Sequence, residues 1–163
     1  MHTWSAMRKK LESEYLAESL RGRLRYFATT YRRSHDREGR IAILLDGCEI
    51  LQSNYYARWT ARCEAERMLI AAGETENIWE RSWEAATEAG EFNENDFYRA
   101  FGIFDSQSIS ESLTDDNALV RMLALLDRRT GKRTLGKLRN TMRSEPQWLQ
   151  MMYDLRLEAE NML

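Results

Sequence analysis

The sequence predicts an α+β fold: an N-terminal helix, a small antiparallel ribbon of two or three strands, then a mostly helical bundle of about five to seven helices. Three observations predict it. Apolar and aromatic residues recur at period two in "RLRYFATTYR" (23–32) and at Ile41, Ile43 and Leu45, as in a half-buried strand. On both sides of that region they recur at three and four, the spacing of an amphipathic helix face. Turn chemistry falls at the junctions, in "RSHDREG" (33–39) and at Asp46-Gly47, the second suited to a two-residue hairpin loop.

The first helix is expected over 4–20, with Trp4, Met7, Leu11 and Tyr15 on one face, Thr3 as N-cap and Gly22 as its stop. The ribbon follows, with "CEIL" returning after Asp46-Gly47 as a short third strand. A ribbon this small is marginal alone, so helices must cover one face. A helix is expected over 53–72, with Tyr55, Trp59, Cys63 and Ile70 facing inward and Gly73 ending it. Thr75 is read as the cap of the next, which turns Ile78, Trp79, Trp83 and Ala86 inward and stops at Gly90. Asn93 with Asp96 opens a short helix carrying Phe97, Ala100 and Phe101, and Ser106 opens another. Thr114 or Asp116 caps "NALVRMLALLDRR", the most apolar helix of the chain. Gly131 is read as its left-handed C-cap, Thr134 as the restart, and Pro146 as the first residue of a last helix through Trp148, Met152, Leu155, Ala159 and Met162. The expected core is Trp4, Leu11, Ile41, Ile43, Trp59, Trp83, Phe97, Phe101, Leu119, Leu123, Leu126, Trp148, Met152 and Leu155.

The 163 residues suit a single domain, with 1–51 as helix plus ribbon and 52–163 as helices packed on it. Hydrophobic residues at 43% and charged residues at 31%, with one proline and eight glycines, exclude a disordered or low-complexity chain. No apolar run approaches the roughly 20 residues of a membrane span, and no apolar h-region follows the basic N-terminus. Two cysteines, Cys48 and Cys63, share no metal-ligand spacing and read as reduced thiols of a cytoplasmic protein.

The net charge of −2 conceals segregation. Residues 1–45 hold ten Lys/Arg against five Asp/Glu, net +5; residues 46–120 hold five against sixteen, net −11. Residues 121–143 hold eight against one, net +7, and the last 20 hold one against four, net −3. Such segments either fold against one another or face separate partners.

The strongest local feature is "DRRTGKRTL" (127–135). It is not a P-loop: Leu126 stands where the first glycine belongs, Arg133 follows the lysine, and a helix rather than a strand precedes it. Two readings remain. In one, Arg128 and Arg129 in a last helical turn compensate the dipole and the corner pairs with the acidic middle. In the other, Arg128, Arg129, Lys132, Arg133 and Lys137 gather an anion or a partner. Nucleic acid is the alternative ligand, using these cations with Arg139, Arg143, the arginines of 21–33, and Tyr26, Phe27 and Tyr31 as stacking rings. A pI of about 5.8 argues against it. His35 and Asp36, with Glu38, form a polar hairpin tip and a weak candidate site. No catalytic set, metal site or cofactor motif is found.

The stretches "GRLRYFATTYRRSHDREGRIAILLDGCEIL" and "SISESLTDDNALVRMLALLDRRTGKRTL", with Trp4-Ser5 near the start, resemble a family of small uncharacterised bacterial proteins. Its members share a Trp-Ser start, a His-Asp hairpin tip and an Asp-Arg-Arg-x-Gly-Lys-Arg corner. The resemblance implies a bacterial, single-domain, cytoplasmic protein, and brings no activity, cofactor or catalytic residue; such proteins occur among mobile accessory genes and near toxin–immunity loci. The sequence therefore points to a non-enzymatic interaction protein, binding a protein partner or itself, with dimerisation as one form. An exposed apolar patch would favour that reading; a broad contiguous basic face would favour nucleic acid.

Overall fold

The computed structural model describes residues 3–30 and 39–163. Helix α1 (Trp4–Lys9) begins at Thr3, whose Oγ1 accepts the Ala6 N–H at 3.3 Å. It passes into a π-helical turn, Lys10–Tyr15, and there helix ends, short of the expected residue 20. The reason is tertiary. Ala17 N–H donates to the Leu126 carbonyl (2.9 Å) and Arg128 N–H to the Tyr15 carbonyl (2.7 Å), a bridge to the end of a distant helix that competes with continued winding. A short 3-10 turn, Glu18–Leu20, and Gly22 at φ 75° lead into the sheet.

The sheet is an antiparallel meander, β1 (Leu24–Thr30), β2 (Gly39–Leu45) and β3 (Cys48–Gln52), in the order β1-β2-β3. Tyr26 pairs with Ile43 and Ala28 with Ile41; a register shift between Ile43 and Leu44 leaves Ile50 of β3 as the extra residue of a bulge. Asp46 (φ 51°) and Gly47 (φ 84°) make the two-residue hairpin loop, with both φ positive as its twist demands. Of the expected connection over 33–39, all but Gly39 lies outside the described residues, as do His35 and Asp36.

Seven further helices follow: α2 (Tyr55–Ala71), α3 (Ile78–Glu88), α4 (Glu94–Ser106), α5 (Ile109–Leu113), α6 (Ala118–Leu126), α7 (Lys132–Leu138) and α8 (Gln147–Ala159). Helix α6 is the axis of the core. All its side chains are buried except Arg121, the pattern of a helix enclosed on every side. The same core takes in Met7, Leu11, Tyr26, Ile41 and Ile43 from the N-terminal part, Phe97, Phe101 and Phe104 from α4, and Leu149, Met152 and Leu157 from α8. Among the described residues no helix is long and apolar enough to cross a membrane.

Several caps differ from those expected. Asn93 and Asp96 do form a capping box on α4. Ser108, not Ser106, caps α5, and Asn117, not Thr114 or Asp116, caps α6, accepting from Leu119 N–H at 2.9 Å. Helix α3 starts after Asn77, itself left-handed at φ 50°, and not at Thr75. Pro146 occupies the N-cap position of α8. The core also differs from expectation at Trp59, which is 39% exposed. Trp4, Trp148 and Leu155 pack half-buried against the core.

Candidate functional site

The basic corner is a knot tied by its own residues. Helix α6 ends at Leu126, so Arg128 and Arg129 lie beyond its last turn, and Gly131, at φ −77°, is the N-cap of α7 and no left-handed C-cap. Asp127 is 1% exposed. Its carboxylate accepts from Arg129 backbone N–H (2.6 Å), Nε (3.0 Å) and Nη2 (2.9 Å), a bidentate pair closed on itself. The Arg129 guanidinium lies over the Tyr15 ring, 5.0 Å from its centroid. Arg156, buried to 3%, donates to the carbonyls of Leu126 (3.2 Å) and Thr130 (3.1 Å) and meets Glu160 at 3.1 Å; burial pushes its guanidinium below the usual range. Thr130 Oγ1 donates to the Ala124 carbonyl at 2.6 Å.

The five predicted cations therefore separate. Arg129 is engaged by Asp127, and Lys132 donates to the Glu160 carbonyl at 2.9 Å. Arg128, Arg133 and Lys137 are exposed. The corner does not pair with the acidic middle as expected; its partners are Asp127 and the C-terminal Glu160. Of the candidate stacking rings, Tyr26 is buried at 2% and unavailable to a base, and Arg23 is held by Asp46 through two bonds of 3.0 and 2.7 Å. Tyr31, Arg32 and Arg33 lie outside the described residues.

Beside the corner, Tyr15 donates to Asp105 at 2.5 Å, and Lys10 Nζ sits 3.0 Å from both oxygens of that carboxylate. Burial first, then the bond to Asp105 and its charge, push the Tyr15 hydroxyl up to about 12. Cation and anion are balanced here, so the cluster joins the π-helical turn to α4 and offers no free charge.

The acidic middle is different. A cleft of about 790 Å³ opens between α3, the start of α4 and the α5–α6 junction. Six carboxylates line it (Glu80, Glu84, Glu88, Asp96, Asp115 and Asp116) against two guanidinium groups, Arg58 and Arg99. Arg58 is bound by Asp96, Nε at 2.8 Å and Nη2 at 3.2 Å. Glu88 meets Arg121 at 2.6 Å, and Asp115 accepts from Gln107 and from Asn117 N–H. Among the described residues nothing pairs with the carboxylates of Glu80, Glu84 or Asp116, which are all exposed. One wall is aromatic: Trp79, 51% exposed, and Trp83 meet edge to face with centroids 5.7 Å apart.

That wall is held from behind by Arg62. It is 4% exposed, and its guanidinium lies 4.7, 4.3 and 5.4 Å from the ring centroids of Trp59, Trp79 and Trp83. Nη2 reaches Glu66 at 2.7 Å, while Nε and Nη1 find no hydrogen-bond partner. Indole faces stand in for the missing acceptors, each such contact being stronger where water is excluded. Arg58 stacks on Trp83 at 3.9 Å in the same way. The sequence placed Tyr55, Trp59, Cys63 and Ile70 on the inward face of α2 and Trp79 and Trp83 on that of α3; instead the buried group of α2 is Arg62, and Trp59, Trp79 and Ile70 are exposed at 39%, 51% and 60%.

Among the described residues no group of His, Cys, Asp and Glu is arranged to hold a metal ion. The SF0329 protein family matches this chain over residues 3–157. No curated protein and no solved structure matches it.

Proposed function

We propose that this chain, which belongs to the SF0329 protein family, is a single-domain, non-enzymatic binding protein whose cleft beside α3 receives a basic segment of a partner protein. The observation that carries this reading is the cleft itself. An open cavity of about 790 Å³ presents an exposed indole, Trp79, next to three carboxylates, Glu80, Glu84 and Asp116, that make no hydrogen bond or ion pair among the described residues. An aromatic face and unpaired carboxylates together suit a guanidinium or ammonium side chain, which gains both a cation–π and a charge-assisted contact. Carboxylates at a cleft also attract cationic partners over distance and repel nucleic acid. An accessory or immunity-type role, acting by occupancy and not by chemistry, suits such a surface. The cytoplasmic, bacterial setting implied by the sequence is compatible with it.

Titration of the intrinsic tryptophan fluorescence with an arginine- and lysine-rich peptide tests the reading. The expected result is saturable binding that weakens as salt rises, with affinity falling at least about tenfold in Glu84→Lys/Asp116→Lys. No change in fluorescence at low salt, or equal affinity in the charge-reversed variant, would overturn it. Labelled DNA run in parallel addresses the alternative ligand, and tight, salt-sensitive binding lost in Arg128→Glu/Arg133→Glu/Lys137→Glu would replace the peptide reading with the nucleic-acid one.

A further inference from the structure

We infer that α2 is the seam of a homodimer, packing antiparallel on α2 of a second copy about a two-fold axis near Cys63. The starting point is a helix without a home. Helix α2 is apolar over much of its circumference, yet among the described residues it buries a single side chain, Arg62, and packs on α3.

The unburied residues form a face. Tyr55, Trp59 and Cys63 follow at spacings of four, and Ile70 lies seven further on, all within about 100° of arc on a helix that turns 3.6 residues per revolution. Tyr56 and Arg67 border this stripe. Tyr56 is 80% exposed, Ile70 60%, Tyr55 44% and Trp59 39%. Those four side chains leave on the order of 500 Å² in solvent. That is already the upper range of the largest patch on a typical monomer. The exposed Thr60 and Arg67 beside them extend the face toward the roughly 800 Å² that each partner contributes to a standard interface.

The face is complementary to itself. Tyr56 and Ile70 stand seven residues to either side of Cys63, and Trp59 and Arg67 stand four to either side. An antiparallel copy turned about Cys63 therefore sets ring on aliphatic chain and indole on guanidinium, twice each, as an isologous contact requires. Arg67 already leans to this side, its Nε donating to the Cys63 carbonyl at 3.3 Å. Charge favours a second copy over a basic partner here. Glu66, which by the helical period falls within the stripe between Tyr55 and Trp59, is taken by Arg62 at 2.7 Å, so the face lacks the free acids of the cleft. Arg58, which lines the cleft, lies across α2 from Tyr56 and Cys63 by the helical period, so both clefts stay open in the dimer.

Light scattering and cysteine cross-linking test this, using the full chain with Cys48→Ser so that Cys63 is the reporter. The expected result is a particle of twice the 19.3 kDa chain mass and an efficient covalent dimer with a short bis-maleimide. Tyr56→Asp and Ile70→Asp should each weaken dimerisation by roughly 30-fold or more. Both side chains are largely exposed, so circular dichroism should be unchanged and peptide affinity per chain retained. A monomer at high micromolar concentration would overturn the inference, as would a dimer that ignores both substitutions or fails to cross-link through Cys63. Failure here leaves the cleft reading intact, because the charge-reversed cleft variant alters binding and not mass.

Discussion

Arg62 shows how much a single side chain does for the α2–α3 hairpin. A buried guanidinium with two nitrogens, Nε and Nη1, left without hydrogen-bond partners among the described residues would be costly in an aliphatic core, but three indole rings around it supply cation–π contact. Shape and planarity matter more than charge. Arg62→Met, similar in length and apolar, should stay within about 1 kcal/mol of the wild type, since hydrophobic replacements of buried ionic groups are often neutral. Arg62→Lys keeps the charge but buries a compact, strongly hydrated ammonium, and should cost roughly 1–3 kcal/mol. Urea unfolding followed by tryptophan fluorescence reads both, and a lysine variant as stable as the methionine one would refute the ordering. Tyr15 carries the pH prediction. Its hydroxyl is raised from 10.0 to about 12, so the neutral form is favoured in the folded chain. The stability it contributes is complete below pH 10 and lost as pH rises from 10 through 12. Removing the charge in Asp105→Asn should shrink part of that alkaline loss, seen as a shallower fall in denaturant midpoint over the same window.

Element boundaries divide between local and tertiary control, and α3 shows both. Its stop at Gly90 was legible because φ is 87° there and glycine alone adopts that conformation without strain. What the sequence did not disclose is the neighbour. A methyl group on Gly90 would meet Trp148 at 2.9–3.2 Å, and Trp148 Nε1 donates to the Glu88 carbonyl at 2.8 Å, fixing the ring in place. Gly73, also left-handed at φ 80°, has open space around its missing side chain. Gly73→Ala should therefore cost about 1–2 kcal/mol from conformation alone, and Gly90→Ala about 2–4 kcal/mol once overpacking is added. Equal losses in thermal or urea unfolding would mean that Trp148 swings aside freely. The start of the same helix was misread, since Asn77 takes the left-handed conformation and Thr75 provides no cap. Helix α1 ends early for a reason no local rule contains, the bridge from Leu16 to Asp127.

Across the whole molecule, the charge blocks of the sequence became a division of labour that counting alone misjudged. Part of the basic block is tied up within the chain, where Arg121 ties Glu88 to Glu145, Arg129 closes on Asp127 and Lys132 reaches Glu160, while Arg128, Arg133 and Lys137 stay exposed. The acidic block stays open at Glu80, Glu84 and Asp116, and so the candidate site moved from the loudest motif to a cleft that no motif marked. By itself the sequence determined the α+β order, an antiparallel meander of two or three strands with its Asp46-Gly47 turn, the apolar face of α6 and a helix start at Asn93 with Asp96. These follow from periodicity, turn conformation and backbone donors satisfied within a few residues, all of which act locally. Tertiary structure alone decided that the corner would be closed by Arg156 from 30 residues away, that Arg62 would lie among three tryptophans, and that among the described residues one face of α2 would stay exposed. A charge or a ring is assigned its role by whichever neighbours packing brings within a few ångströms, and spacing along the chain does not record that distance.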